Sequence, residues 1–263
     1  AKYLDKKTSE IDQIIDAKKK LIALYNEEKS ALINRAVTKG IDDKAKLKPS
    51  GVEWLGDIPQ HWEVKKLKQV ANMRSSNVDK KTKENEKKIE LCNYVDVYKN
   101  DFIDSSISFM KASASDEQIK NFILSKGDVI LTKDSESPDD IAIPALVIED
   151  FDNVICGYHL AHIKPINILG GLLFRMLQSK FYKSYFKVAS NGVTRYGIGI
   201  DKFNSVPILL PPLEEQEKIL GYIEKNVSVI DKKVANAKRL IELMTEYRTT
   251  LISEVVTGKV KVV

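Results

Sequence analysis

Apolar residues recur at alternating steps of three and four along two well-separated stretches of the chain. In the first, Ile11, Ile15, Lys18, Ile22, Tyr25, Lys29, Leu32 and Ala36 share a seam, widened by Ile14, Leu21 and Ala31. In the second, Ile230, Val234, Ala237, Ile241, Met244, Arg248, Leu251 and Val255 take the equivalent places. A heptad-like seam of this kind predicts a long helix with one stripe to bury. The first helix is expected from about Ser9 to Lys39, with Ser9 and Asp12 as a weak capping box and Gly40 just past its end. The second is expected from Leu213 to about Thr257, ahead of Gly258. It follows Pro211-Pro212, which stop a short apolar strand, Val206 to Leu210, because proline has no donor for a sheet ladder. Glu214 and Glu215 then occupy the first turn, where the helix dipole favours negative charge. At ~1.5 Å per residue each arm is about 45 Å long.

The two arms are copies. Tyr3 to Thr38 aligns with Tyr222 to Thr257 at a constant offset of 219, without a gap. Apolar pairs such as Ile11/Ile230, Leu21/Leu240 and Leu24/Leu243 are identical, and so are the polar pairs Lys6/Lys225, Ser9/Ser228, Asp12/Asp231 and Glu27/Glu246. Unrelated helices can share an apolar period but rarely share polar positions as well, so this is an internal repeat. The natural cover for each stripe is its copy. Since a long segment joins the end of one arm to the start of the other, an antiparallel pair is the simplest packing. Separate packing of each helix on the intervening segment is the alternative. The first copy lacks the strand, the two prolines and the Glu-Glu-Gln run that lead into the second. That predicts a further module ahead of it in a longer repeated protein.

Between the arms the helical period gives way to short alternations. Pro49 to Val64 is dense in turn residues and holds Trp54 and Trp62, an irregular segment pinned by its tryptophans, with a strand or helix starting at Val64 to Leu67. Glu90 to Tyr98, Val129 to Thr132, Ala142 to Ile148 and Asn153 to Ile155 read as strands. His159 to Ile163 alternates, placing His159 and His162 on opposite faces of a strand. Gly171 to Tyr185 reads as one amphipathic helix, and Ser190 to Ile200, with three glycines, as a flexible loop. The prediction is an α+β protein: a first helix over 1–40, one globular domain of short strands and helices over 41–212, and a second helix over 213–263, the helices paired as an antiparallel coiled coil.

Charge adds a local bias. The chain carries 42 Lys/Arg against 37 Asp/Glu, a formal net charge of +5, so it is not basic throughout. Lys65 to Lys88, with nine Lys/Arg against three Asp/Glu, either attracts phosphates or is a solvated lysine-rich loop. Cys92 and Cys156 stand in unlike settings and read as buried thiols of a cytoplasmic protein. The charged N-terminus does not resemble a signal peptide, and no apolar run reaches the ~18–20 residues of a membrane span.

Catalytic signatures are missing. There is no Gly-x4-Gly-Lys-Ser/Thr phosphate loop. Gly197-Ile198-Gly199 is a lone fragment of a glycine fingerprint. His61, His159 and His162 complete no catalytic set, and a metal site from the last two is not expected, so no catalytic or metal residue is predicted. The carboxylates Asp134, Glu136, Asp139 and Asp140 follow a strand, as in a nuclease, but no downstream Glu-x-Lys completes the arrangement. What remains is a set of polar loops. Arginine and lysine can bond guanine, asparagine can bond adenine, and serine or backbone amides can hold phosphates.

Three stretches resemble the specificity (S) subunit of type I restriction–modification systems. Pro49-Ser50-Gly51-Val52-Glu53-Trp54-Leu55-Gly56-Asp57-Ile58-Pro59-Gln60-His61-Trp62 resembles the opening of a target recognition domain. Leu124 to Thr132 resembles its central strand. Asn191-Gly192-Val193-Thr194 through Pro211-Pro212-Leu213-Glu214-Glu215-Gln216 resembles its exit into the spacer helix. With the duplicated arms, the resemblance covers essentially the whole chain. The family's layout is two recognition domains, each followed by a spacer helix, the two helices pairing as a ruler. This chain, with helix, one domain and helix, is similar to part of an S subunit or to a half-size form.

The resemblance implies a non-catalytic DNA-recognition role that reads half of a bipartite site. The implied partners are double-stranded DNA, methyltransferase (M) subunits and a restriction (R) subunit, with a homodimer through the helices as a further option and no membrane. S-adenosylmethionine and ATP are expected in partner subunits only, with no cofactor on this chain. DNA contacts are expected from Arg74, Ser75, Lys111, Lys133, Ser135, Tyr158, Asn191, Thr194, Arg195 and Tyr196, with Arg195 and Tyr196 favoured because a glycine-flanked loop can approach DNA closely. The alternative is a protein-binding scaffold or decoy half-subunit without specific DNA binding.

Overall fold

The computed structural model describes residues 2–260, which fall into two compact units. One holds the described residues up to Leu32 with those from Tyr222 onward, the other Ile33–Gly221. Two long helices run through both, α1 (Lys2–Lys39) and α8 (Leu213–Val256). Among the described residues no helix is long and apolar enough to cross a membrane.

In the first unit the helices pair through the predicted seam. Ile11, Ile15 and Leu251 are buried against Leu4, Ile241, Met244 and Val255. The polar contacts follow the repeat. Lys29 Nζ donates to both oxygens of Asp231, at 2.9 and 3.1 Å. Arg248 Nε lies 3.3 Å from Asp12 Oδ1, an ion pair without hydrogen-bond alignment. Lys29 and Arg248 are equivalent under the 219-residue offset, as are Asp12 and Asp231. Each copy thus supplies the cation for the other's carboxylate. As numbering rises along α1 the partner's falls along α8, so the helices are antiparallel and related by a local two-fold. Lys233 Nζ also sits 5.3 Å from the centre of the Tyr25 ring. The expected start at Ser9 is corrected: α1 is already helical at Lys2, Thr8 Oγ1 bonds back to Leu4 O at 2.8 Å, and Ser9 lies inside the helix, as its copy Ser228 lies inside α8.

The second unit begins with the last turns of α1, closed by Gly40 at φ +73. Strands β1 (Leu47–Pro49) and β2 (Asp57–Pro59) pair antiparallel around the Trp54 turn. Trp54 meets the rings of Tyr182 and Tyr185 at 5.4 and 5.2 Å, and Trp62 is fully buried. Strand β3 (Glu63–Lys66), followed at once by the short helix α2 (Leu67–Val70), pairs antiparallel with β14 (Pro207–Leu210). After β14 the buried Gln216 clamps the start of α8. Its Oε1 accepts from Leu169 N at 2.9 Å and its Nε2 donates to Pro211 O at 3.0 Å.

Two sheets form the centre of this unit. The larger has the order β4 (Ala71–Ser75), β12 (Leu160–Pro165), β8 (Val129–Thr132), β10 (Pro144–Val147), β6 (Phe102–Ile103), antiparallel except for the last pair. The smaller has the order β11 (Val154–Cys156), β5 (Lys87–Cys92), β7 (Met110–Ala114). Ile130, Ala145, Val147 and Leu160 of the first share a core with Ile89, Leu91, Val154 and Ile155 of the second. The larger sheet also packs against α5 (Gly170–Gln178), which contributes Leu172, Leu173 and Met176 to the buried set. Cys92 and Cys156 face each other across neighbouring strands as free thiols, and burial pushes both away from the thiolate form.

Two other expectations change. Glu90 to Tyr98 is not one strand: β5 ends at Cys92, and Asn93 opens helix α3 (Tyr94–Lys99). The Asn93 side chain accepts from Val95 N and its backbone N–H donates to Asp96, a reciprocal cap that outweighs the β-propensity of the Tyr-Val-x-Val-Tyr run. The single helix over 171–185 is two, α5 and α6 (Lys180–Ala189), broken where Ser179 takes an extended conformation at ψ 155.

Candidate nucleic-acid interface

At one end of the larger sheet three strand ends meet. β4 finishes at Ser75, β8 finishes at Thr132, and β12 begins at Leu160, in a register that aligns Ser75 with Ala161 and Thr132 with Leu160. The residues just beyond these ends, Lys133 to Ser135 and Tyr158-His159, are thereby brought beside Ser75. A fourth segment joins them. The two-residue strand β13 (Tyr196–Gly197) pairs antiparallel with β9 (Asp134–Ser135), and Ile198 N donates to Lys133 O at 3.1 Å. Asn191 and Gly197 exchange both backbone hydrogen bonds, which closes the loop between them. Gly192, at φ +151, makes that closure possible, since a side chain there would run into the Arg195 carbonyl. The segment expected as a flexible loop is therefore a docked hairpin presenting Val193, Thr194 and Arg195 to solvent.

Side-chain chemistry converges at this end. Lys133 Nζ donates to Ser75 Oγ at 2.7 Å and stands 4.9 Å from the centre of the Tyr158 ring. Tyr158 is about half exposed and packs on His159 with ring centres 4.0 Å apart. Asp134 bridges Arg195 and His159. Arg195 Nη2 and Nε donate to Oδ1 at 2.6 and 3.2 Å, and His159 Nδ1 lies 2.7 Å from Oδ2. So short a contact to a carboxylate places a proton on Nδ1, and the 3.2 Å approach of Arg195 Nη2 to that nitrogen is then not a hydrogen bond. The Arg195 guanidinium stays more than half exposed while Asp134 is mostly covered. Under the cluster lies a cavity of about 490 Å³, lined by Met73, Ser75, Lys133, Ile198 and Phe203 among others, the last from α7 (Ile200–Asn204).

Of the ten residues named from the sequence, Ser75, Lys133, Ser135, Tyr158, Asn191, Thr194, Arg195 and Tyr196 belong to this end of the sheet. Ser135 is nearly buried, and its hydroxyl accepts from Ser137 N at 3.2 Å within a turn. Lys111 lies elsewhere, on β7, opposite Glu90. Arg74 shares β4 with Ser75 but projects to the other face, where it donates to Asn121 Oδ1. Sequence reasoning missed Asp134 and His159 as members of the cluster. It also placed His159 in a strand, whereas its φ of +72 lies outside any ladder conformation and β12 starts one residue later. The available signal was a carboxylate two residues past a buried strand, which fits a partner for a loop arginine as well as it fits a metal.

Comparison with known proteins bears on the fold and the family. A solved chain from work on complex assembly and conformational transition of the type I R-M system superposes with a TM-score of 0.63 at 12% identity, over 96% of this chain and 58% of that one. The Type I restriction enzyme MjaVIII specificity subunit of Methanocaldococcus jannaschii is 23% identical over 264 residues, which cover 99% of this chain and 60% of the relative. The chain thus spans about 60% of the length of that relative. The family described as type I restriction modification DNA specificity domain matches residues 59–242, more than half of the chain and all of the loops that build the cluster. The chain belongs to the type I restriction modification DNA specificity domain family.

Proposed function

We propose that the chain is a sequence-specific DNA-recognition component of a type I restriction–modification complex. In this reading the second unit reads one half of a bipartite site. The paired helices dock methyltransferase and restriction subunits. The chain itself is non-catalytic and holds no cofactor, S-adenosylmethionine and ATP being used by its partners. The observation that carries the proposal is the convergence of Lys133, Ser75, Tyr158 and Arg195 from four separate segments onto one exposed end of the larger sheet. It offers lysine and arginine for base edges or phosphates, an aromatic ring, and hydroxyls at the rim, the mixture that separates base readout from backbone positioning.

The test is selection of retained duplexes from a randomised pool by the purified chain, with and without the companion methyltransferase subunit. One enriched short motif is the expected result. No enrichment in either condition, with the partner confirmed bound, leaves a protein-binding scaffold instead. Within that assay Arg195→Ala is expected to cost about 1–3 kcal/mol on the selected sequence alone. An equal loss on every sequence reassigns Arg195 to a phosphate.

A further inference from the structure

The face of β4 and β12 opposite the Arg195 cluster carries a second, separate site. In the antiparallel register Asn72 stands across from Lys164 and Arg74 across from His162, so these four project to one side. Helix α4 (Asp116–Phe122) ends beside them and adds Lys120 and Asn121. Together the six line a cavity of about 200 Å³. Three of the six are full cations. Among the described residues no carboxylate lies within ion-pair distance of Arg74 or Lys120, and Arg74 bonds only the neutral Asn121 amide. Lys164 approaches Asp128 at no closer than 3.8 Å. That carboxylate is buried, and the same Oδ2 also takes His162 Nε2 at 2.7 Å and Ser125 N at 3.0 Å.

A contact this short from imidazole to carboxylate is made by a protonated Nε2, so neutral His162 forms a polar floor that brings no fourth charge. Burial above all, against the pull of Asp128 and with a smaller push from Lys164 and Arg74, acts against protonating it. Three cations converge against the single carboxylate of Asp128, which leaves a net positive charge around a space that fits a small anion, with amide groups from Asn72 and Asn121 on its wall. Cations held so close repel one another unless an anion sits between them.

We propose that this pocket binds a phosphate group, with Arg74, Lys120 and Lys164 supplying charge-assisted hydrogen bonds. The group is either a backbone phosphate of duplex DNA or a free phosphate anion. The site is distinct from the Arg195 cluster, because neighbouring residues of an extended strand point to opposite faces and the two sites use alternate residues of β4. If the group belongs to DNA, the edge of this sheet contacts the duplex on both of its faces.

Inorganic phosphate titrated into the isotopically labelled full chain gives the first arm, read from the side-chain amide signals of Asn72 and Asn121. A saturable shift is expected, weakened about tenfold in Lys120→Gln or Lys164→Gln and unchanged in Lys238→Gln, which alters an exposed lysine of α8. The second arm measures duplex affinity against salt. If the group is a DNA phosphate, the slope of log affinity against log salt falls by about one for each cation removed, and duplex displaces the inorganic phosphate. If the shift is present but the slope is unaltered, the site holds a free anion. Absence of a saturable shift together with an unaltered slope overturns the proposal. A chain that binds no duplex at all would sink the recognition reading, and the phosphate titration would still decide this one.

Discussion

The two units bury their apolar residues by different means. The globular unit closes two sheets on each other and adds helices, so that whole residues such as Trp62, Phe174, Tyr182 and Leu124 lose all contact with solvent. The helical pair has only a thin seam, with Ile11, Ile15 and Leu251 at its centre and Leu24, Leu243 and Tyr247 left largely exposed. Burial of apolar area dominates stability, so the first kind of unit tolerates an irregular surface of loops and the second does not. The polar chemistry is divided the same way. In the globular unit the charged groups of interest converge at strand ends, where they add little to folding. In the helical pair the charged groups Lys29, Asp231, Asp12 and Arg248 fix which residues face each other. A repeated sequence therefore serves pairing, and an unrepeated one is free to vary what it contacts.

The contrast is tested most severely at Trp62. Trp62→Ala empties a site with no exposure at all and is expected to cost about 3–5 kcal/mol in urea unfolding. Trp62 Nε1 has no hydrogen-bond partner among the described residues, so Trp62→Phe removes an unsatisfied donor and should lose well under half as much.

The corresponding change in the arms is Ile15→Ala. Its neighbours are few and solvent is close, which sets the cost near the lower end of the range for such truncations, about 2 kcal/mol. Loss of helical signal without a shift in the tryptophan signal of the globular unit is the expected pattern, since both tryptophans lie outside the arms. If the two signals fall together, the units unfold as one and the comparison drawn above does not hold.

How far each unit could be read from the sequence follows from the same difference. The arms were legible almost in full, because a helix repeats every few residues and the offset of 219 aligned polar as well as apolar positions. The buried strand Val129 to Thr132 was legible from its branched residues, and the Pro-Pro stop set the end of β14. Local capping was not: Asn93 turned a β-prone run into a helix through two hydrogen bonds that composition does not reveal. The candidate interface was half legible. Lys133, Tyr158 and Arg195 stood out as loop residues, but their meeting depends on the register of β4, β8 and β12, and their bridging by Asp134 depends on a two-residue strand. Arg74 and Ser75, adjacent in sequence, separate onto opposite faces by the alternation of an extended chain.

A smaller effect is expected from acid, and it belongs to the globular unit alone. His162 is buried, and burial holds its pKa below the ordinary imidazole value, against the opposing pull of Asp128. The native state therefore resists a proton that the unfolded chain accepts from about pH 6.5 downward. Unfolding takes up protons in that window, so stability is full above it and is lost as pH falls from the unfolded value towards the depressed native one. Denaturant midpoints followed from pH 8 to pH 5 should show the loss, and His162→Gln, whatever its own cost, should flatten the curve. A stability that rises on acidification through this range would mean that the Asp128 contact outweighs burial and that His162 is charged in the native state.

The smallest effect lies in the arms, where the local two-fold gives two ion pairs built from equivalent positions. Lys29 holds both oxygens of Asp231 and is the less exposed cation, while Arg248 reaches only one oxygen of Asp12 and without hydrogen-bond alignment. Exposed pairs are worth about 0.2–1 kcal/mol, so double-mutant cycles should place the Lys29–Asp231 coupling in the upper part of that range and Arg248–Asp12 in the lower. Both should shrink as salt is raised. The informative variant exchanges charge within one pair, Asp12→Lys with Arg248→Glu. Either single change sets like charges against each other, and the double change restores an opposite pair in the same register. Recovery of helix stability in the double variant supports pairing of the two copies within one chain. If the two singly changed chains regain stability only when mixed, the helices pair between chains, and the assembly is a dimer joined through its arms.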